Sequence, residues 1–209
     1  MKKNFVDIII YFALYSFSGW IIETIYNSID RKEFVNRGFL NGPFCPIYGF
    51  GAILIIQAFI FLNNNFHFIS DNIFIKIFVA MLLTTILEYN TGYILEKLFN
   101  YRWWDYSDFF LNLHGRICLK YSIYWGILSY IFITFIHPVI MKYISFVSTQ
   151  KKVIISIFII LYFIFDTIKS VTEIINLKEV VLQQYKSVHC VTSIVKLHNI
   201  KGFFKNFLN

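Results

Sequence analysis

Charge is scarce in this chain: only 12 of its 209 residues are acidic, and Asp, Glu, Lys and Arg together make up 15%. A soluble domain carries roughly 25% charged residues, so the shortfall argues against a water-solvated globule and against a disordered chain. Cysteine is equally thin. Cys45, Cys118 and Cys190 lie far apart with no C-x-x-C pair, which leaves neither a zinc site nor a disulfide framework. There is no G-x-x-x-x-G-K-[ST] phosphate loop, no H-E-x-x-H metal spacing and no Ser-His-Asp or Cys-His set, so no catalytic residue, metal or cofactor is assigned. His67, His114, His137, His189 and His198 are scattered. The run after Met1-Lys2-Lys3 lacks a small-x-small cleavage site and holds Trp20 and Glu23, so it reads as a retained helix and not as a cleaved leader.

Hydrophobic residues fill the space that charge leaves. They make up 57% of the chain, aromatics alone 21%, with 25 Phe, 14 Tyr and 4 Trp, and the mean hydropathy is +0.61. Crossing a hydrocarbon core of roughly 30 Å takes about 20 helical residues. That ruler picks out 5–29, 47–62, 73–98, 122–144 and 153–175 as spans, and the expected fold is an all-α polytopic membrane protein of about five transmembrane helices. The second span is short, which fits a tilted helix or an element that begins inside the Gly/Pro-rich stretch before it. Two units are expected, a transmembrane region over 1–175 and a basic amphipathic tail over 176–209 that lies at the interface or simply ends the protein. The net charge of +7 belongs with cytoplasmic loops and anionic headgroups and not with nucleic acid. Five crossings put Lys2, Lys3, Lys142, Lys151 and Lys152 on one side. The richer side holds Arg31, Lys32, Arg37, Lys97, Arg102, Arg116, Lys120 and the lysines from Lys169 onward, so the positive-inside rule favours a cytoplasmic C-terminus in the cell membrane.

Ionisable groups inside a membrane are costly and usually face a partner, a cavity or a ligand. In the first span Ser16, Trp20, Glu23 and Asn27 recur at intervals of three and four, a polar stripe on an apolar rod. The third carries Glu88, Gly92 and Glu96 at intervals of four; the carboxylates there can hold cations, accept from hydroxyls, or pair with loop bases such as Lys97 and Arg102. Asp166, Lys169 and Glu173 near the end of the fifth can neutralise one another along one face.

Two connecting segments are unlike ordinary loops. In 36–51, Gly38, Gly42 and Gly49 free the backbone, Pro43 and Pro46 stiffen it, and Asn36, Arg37 and Tyr48 add polar groups to an apolar run; either a re-entrant stretch lining a polar cavity or an interfacial turn accounts for it. The second, 101–126, sets Arg102, Trp104, Asp105, Tyr106, Asn112, Gly115, Arg116 and Trp125 together. That is the chemistry of an aromatic belt, or of a ligand trap in which rings stack and arginines grip phosphate or carboxylate.

In these segments, in Tyr15-Ser16 to Glu23 and in Glu88-Tyr89-Asn90-Thr91-Gly92 to Glu96, the sequence resembles the CmpB-like ABC transporter permeases, small multi-pass bacterial membrane proteins, over roughly 11–170. The resemblance implies a transporter membrane subunit whose ATPase is a separate chain. Its expected cavity is shared by Trp20, Glu23, Asn36, Arg37, Tyr48, Glu88, Glu96 and the polar residues of 101–126, with Gly92 and the other glycines and prolines shaping the backbone. Two other functions stand beside it: an intramembrane enzyme or binding protein for a lipid or lipid-linked sugar, and a scaffold or accessory subunit. Expected partners are the lipid bilayer, an ATPase subunit and a second copy of the chain, since five short helices enclose little space alone.

Overall fold

In the computed structural model the described residues are 5–66 and 72–192, with side chains described through Leu177. Five helical spans are long and apolar enough to cross a membrane. They are α1 (Phe5–Arg31), α2 (Pro46–Asn65), α3 (Ile73–Phe99), the broken helix Leu119–Ser145, and the first part of the last helix, to Leu177. The broken helix consists of α4 (Leu119–Ile131), a π-helical turn (Phe132–Ile136) and α5 (His137–Ser145). Pro138 has no N–H to return to the carbonyl of Thr134, and the helix widens just before it. A two-stranded hairpin, β1 (Asn112–Leu113) with β2 (Ile117–Cys118), is the strand structure of the described residues. The protein is therefore an all-α, multi-pass membrane protein, and most large apolar side chains of its spans face outward, where lipid is their solvent.

The spans extend one to four residues past the expected bounds at most ends, for local reasons. Pro46 occupies the first turn of α2, where a missing N–H costs nothing. Asn72 caps α3 by accepting from the amides of Phe74 and Ile75, and Asn100 closes it in a left-handed turn at φ 52°. The last helix, α6, runs unbroken over Thr149–Thr192, so the boundary expected at 175/176 falls within it; no Gly or Pro interrupts that stretch. The interfacial face expected for the tail lies outside the described side chains, and 193–209 outside the described residues.

Helix α1 is the hub. It packs along α2 and α6, α2 packs on α3, and α3 packs on α4. The α1–α2 contact is close because Gly19 faces the Tyr48 ring and Gly49 faces Ser16 and Phe12, the small-residue device of helix pairs in lipid. Below it Ile10, Tyr11, Tyr15, Ala52, Ile56 and Ile144 form the main apolar core. Tyr15 hydrogen-bonds His137 Nδ1 at 2.7 Å, and Lys152 pairs with Asp7 at 2.8 Å, tying α5 and α6 to the first half of α1.

Candidate functional site

Between α1 and α2 the chain does not run free at the surface. Residues 32–45 turn back along α1 until the Cys45 amide meets the Ser16 carbonyl at 2.9 Å, near the middle of that helix. Irregular backbone at such depth survives only when protein satisfies it, and two helices, α1 and α6, do so here. The Trp20 indole donates to Asn36 Oδ1 at 2.6 Å, and Asn36 donates to the Asn41 carbonyl at 2.7 Å. Arg37 donates to Asn27 Oδ1 at 2.7 Å, and Asn27 in turn reaches Glu23 Oε2 at 3.2 Å. From α6, Ser170 Oγ accepts from the Asn41 amide at 2.8 Å and both Asp166 oxygens accept from the Gly42 amide, at 3.0 and 3.2 Å. Gly38, at φ +122°, turns where a side chain would be strained and would strike the Cys45 sulfur.

This fold-back delivers Tyr48 to the first carboxylate. Its hydroxyl donates to Glu23 Oε1 at 2.5 Å, and the Trp125 ring meets its own edge-on at 5.6 Å. The second carboxylate, Glu88 of α3, is 7% exposed. Tyr106, from the loop after α3, donates to Glu88 Oε1 at 3.1 Å and stacks on Tyr121 at 4.8 Å. Glu23 lies within electrostatic reach of Glu88, and Trp125 borders both Tyr48 and Glu88. Burial, and after it the Glu88 charge, pushes the Tyr106 hydroxyl well above its ordinary range, so it acts as a fixed donor. Glu88 Oε2 and Arg37 Nε are buried polar atoms without a hydrogen-bond partner among the described residues. Two spans therefore present carboxylates to one spot lined by aromatic rings and hydroxyls, where the Trp125 side chain also bears on Glu88.

The remaining polar residues form a separate network at the outer end of α3. Glu96 accepts from Arg102 Nε at 3.0 Å through one oxygen and from Arg116 Nε and Nη2 at 2.9 and 2.8 Å through the other. Arg116 also lies over the rings of Tyr89 and Tyr93, and its carbonyl accepts from the Trp104 indole at 2.9 Å. Asp105 takes Arg102 at 3.3 Å and the Ser107 amide at 2.9 Å. Asn112 ties the hairpin by donating to the Ser107 and Phe109 carbonyls and accepting from the Gly115 amide. Gly115, at φ +69°, leaves no room for a Cβ beside Asp105 and Ser107, and Gly92 lets Trp104 lie against α3. Hydrogen bonding to Glu96 raises the Arg102 guanidinium further. For Asp105 the burial that would raise it is outweighed by its bonds to Ser107 and by Arg102, so it sits below the usual carboxylate range. Arg102 and Arg116 thus both give donors to Glu96, and of the three roles open to Glu96 its geometry is that of the ion pair.

The expected residues fall into three groups: Glu23, Arg37, Tyr48, Glu88, Tyr106 and Trp125 inward, Trp20 with Asn36 as a more exposed pair on the fold-back, and Glu96, Arg102, Trp104, Asp105, Asn112 and Arg116 at the loop. Ser170 is new, and Asp166, expected to be balanced along its own helix face by Lys169, is instead turned to the fold-back. Asp166 is 4% exposed and receives the Gly42 amide, while Lys169 and Glu173 approach at 3.9 Å as a more exposed pair. A family model described as "Putative ABC-transporter type IV", the CmpB type, matches residues 10–171. The chain belongs to this family. The span that matches the CmpB-type model contains both polar groups and Asp166, and stops short of the tail. No solved structure matches the chain.

Proposed function

We propose that this CmpB-type protein is the membrane-spanning, permease-like subunit of a transporter, driven by an ATPase on a separate chain, and that the Glu23–Glu88 cluster is the polar wall of its path. The observation that carries the reading is the pair of carboxylates. They come from two different spans, they are held by tyrosine hydroxyls, and no Lys or Arg side chain among the described residues sits on Glu88. A purely structural buried acid is normally neutralised by a base, as Glu96 is. An acid kept without a base beside a Gly-containing fold-back is instead placed to meet a passing group. In this reading the C-terminus is cytoplasmic, on the side that carries more of the basic residues, and the separate ATPase docks from there.

The test is complementation of a chromosomal deletion by Glu23→Gln and Glu88→Gln, with folded protein measured in parallel. The expected result is loss of function at wild-type levels of folded protein. Loss of both in equal measure makes the carboxylates structural and overturns the assignment.

A further inference from the structure

We propose that a cleft on the opposite face of α2 holds one anionic glycerophospholipid, its phosphate at Lys76 and its chains along α2. The cleft encloses about 520 Å³, within the usual range of ligand pockets. Its α2 wall is a single stripe, Ile56, Phe59, Ile60, Asn63 and Asn64, spaced so that all five lie on one helical face. Over the eight steps from Ile56 to Asn64, a rise of about 12 Å, the wall changes from branched and aromatic carbon to two carboxamides. A phospholipid follows the same gradient, carbon at depth and hydrogen-bonding groups toward water. The opposite wall is supplied by Ile133, Thr134 and Met141, at and just after the π-helical turn, where the helix is already widened.

Charge fixes the kind of lipid. Lys76, in the first turns of α3, lines the same cleft at its carboxamide end, and it is half-buried. None of the ion pairs among the described residues includes it. A half-buried ammonium facing the membrane, with two carboxamides beside it and carbon beneath, matches a phosphate with acyl chains. It does not match a free anion, for which the apolar two-thirds of the stripe would be idle, nor a neutral lipid, for which the ammonium would be. The site is separate from the Glu23–Glu88 cluster, so its failure would leave the permease reading standing.

The experiment uses the full chain reconstituted in vesicles of phosphatidylethanolamine and phosphatidylglycerol, re-extracted in mild detergent, with retained lipids counted by native mass spectrometry. Phosphatidylglycerol is expected to be retained above its vesicle fraction, near one per chain. Lys76→Gln is expected to lower that enrichment about fivefold, the weight of one lysine at an anionic surface. Ile133→Trp, which fills the cleft and keeps the charge, is expected to lower it as well. Lys120→Gln, at the far end of the same span among aromatic rings, is expected to leave it unchanged. Retention at the vesicle proportion, or equal enrichment in all variants, overturns the proposal by showing unselective lipid. Displacement of the lipid by excess inorganic phosphate also overturns it, since the site would then read phosphate alone. If Lys76→Gln does not fold, the Ile133→Trp and phosphate arms still decide.

Discussion

Replacing Asp166 by Ala removes the acceptor that holds the Gly42 amide and frees one end of the 32–45 fold-back. Asp166 is 4% exposed and uses both oxygens, at 3.0 and 3.2 Å, so the loss is that of a buried hydrogen bond to a polar or charged acceptor, about 1.5–3 kcal/mol. The consequence is local. Cys45 sits under the fold-back at 5% exposure, its sulfur donating to the Arg37 carbonyl; burial, with the Glu23 charge adding and Arg37 opposing, pushes its thiol up to about 12. At neutral pH in the closed state that thiol is both hidden and protonated, so maleimide reaches it only through opening. If opening takes the whole of the lost energy, labelling of Cys45 in a Cys190→Ala background rises about 10- to 150-fold in Asp166→Ala. Asp166→Asn retains one acceptor oxygen and falls between. Cys118, 1% exposed in β2 at the start of α4, is the internal reference and keeps its rate. A Cys45 rate within twofold of wild type in Asp166→Ala would refute the anchoring argument, because the fold-back would then be held by something other than α6.

Further outcomes follow from the same geometry. Gly49→Val drives two methyl groups into Ser16 and Phe12 and is expected to cost about 1–3 kcal/mol by overpacking, read as a lower unfolding midpoint in detergent; an unchanged midpoint would mean α1 and α2 are not in contact there. Glu96→Gln leaves Arg102 and Arg116 without their shared counter-charge. Because Arg116 is the less exposed of the two, at 14% against 37%, proteolysis of the 100–118 loop is expected to increase more in Glu96→Gln than in Arg102→Ala, and the reverse order would contradict the pairing. The folded Asp105 carboxyl lies below its usual value, so its contribution to the loop is present above the ordinary Asp range and is lost as pH falls through the lower, folded value. Loop opening by acid is therefore expected only below about pH 4, and in Asp105→Asn the step is reduced to what the Glu96 pairs contribute.

The spans were legible because apolar length alone dictates them, and in the stripe Ser16, Trp20, Glu23 and Asn27 the last three were legible because their side chains find partners in the fold-back and the start of α2, whereas the Ser16 hydroxyl has none among the described residues and lies against Gly49. The loop residues were legible as a set but not in role: nothing local in Arg102 or Arg116 says whether its donors meet a ligand or Glu96, since that depends on how Gly92 and Gly115 let Trp104 and the hairpin close on α3. Asp166 was visible only as a charge on a helix face. Its partner is 124 residues away, and backbone amides such as that of Gly42 carry no sequence signal. Tyr15 with His137 is hidden in the same way, at a separation of 122. The last apolar span ends at Leu177, within two residues of the expected 175, because hydropathy falls there, whereas the helix itself runs on to Thr192.

The central claim, a permease-like membrane subunit powered by another chain, is tested most directly by purifying the tagged protein in mild detergent from its own membranes and identifying what comes with it. The account predicts an ATPase subunit in stoichiometric amount, retained in Glu88→Gln because that carboxylate serves the path and not the assembly. Wild-type protein that purifies with no ATPase, under conditions that keep its lipids, would contradict it.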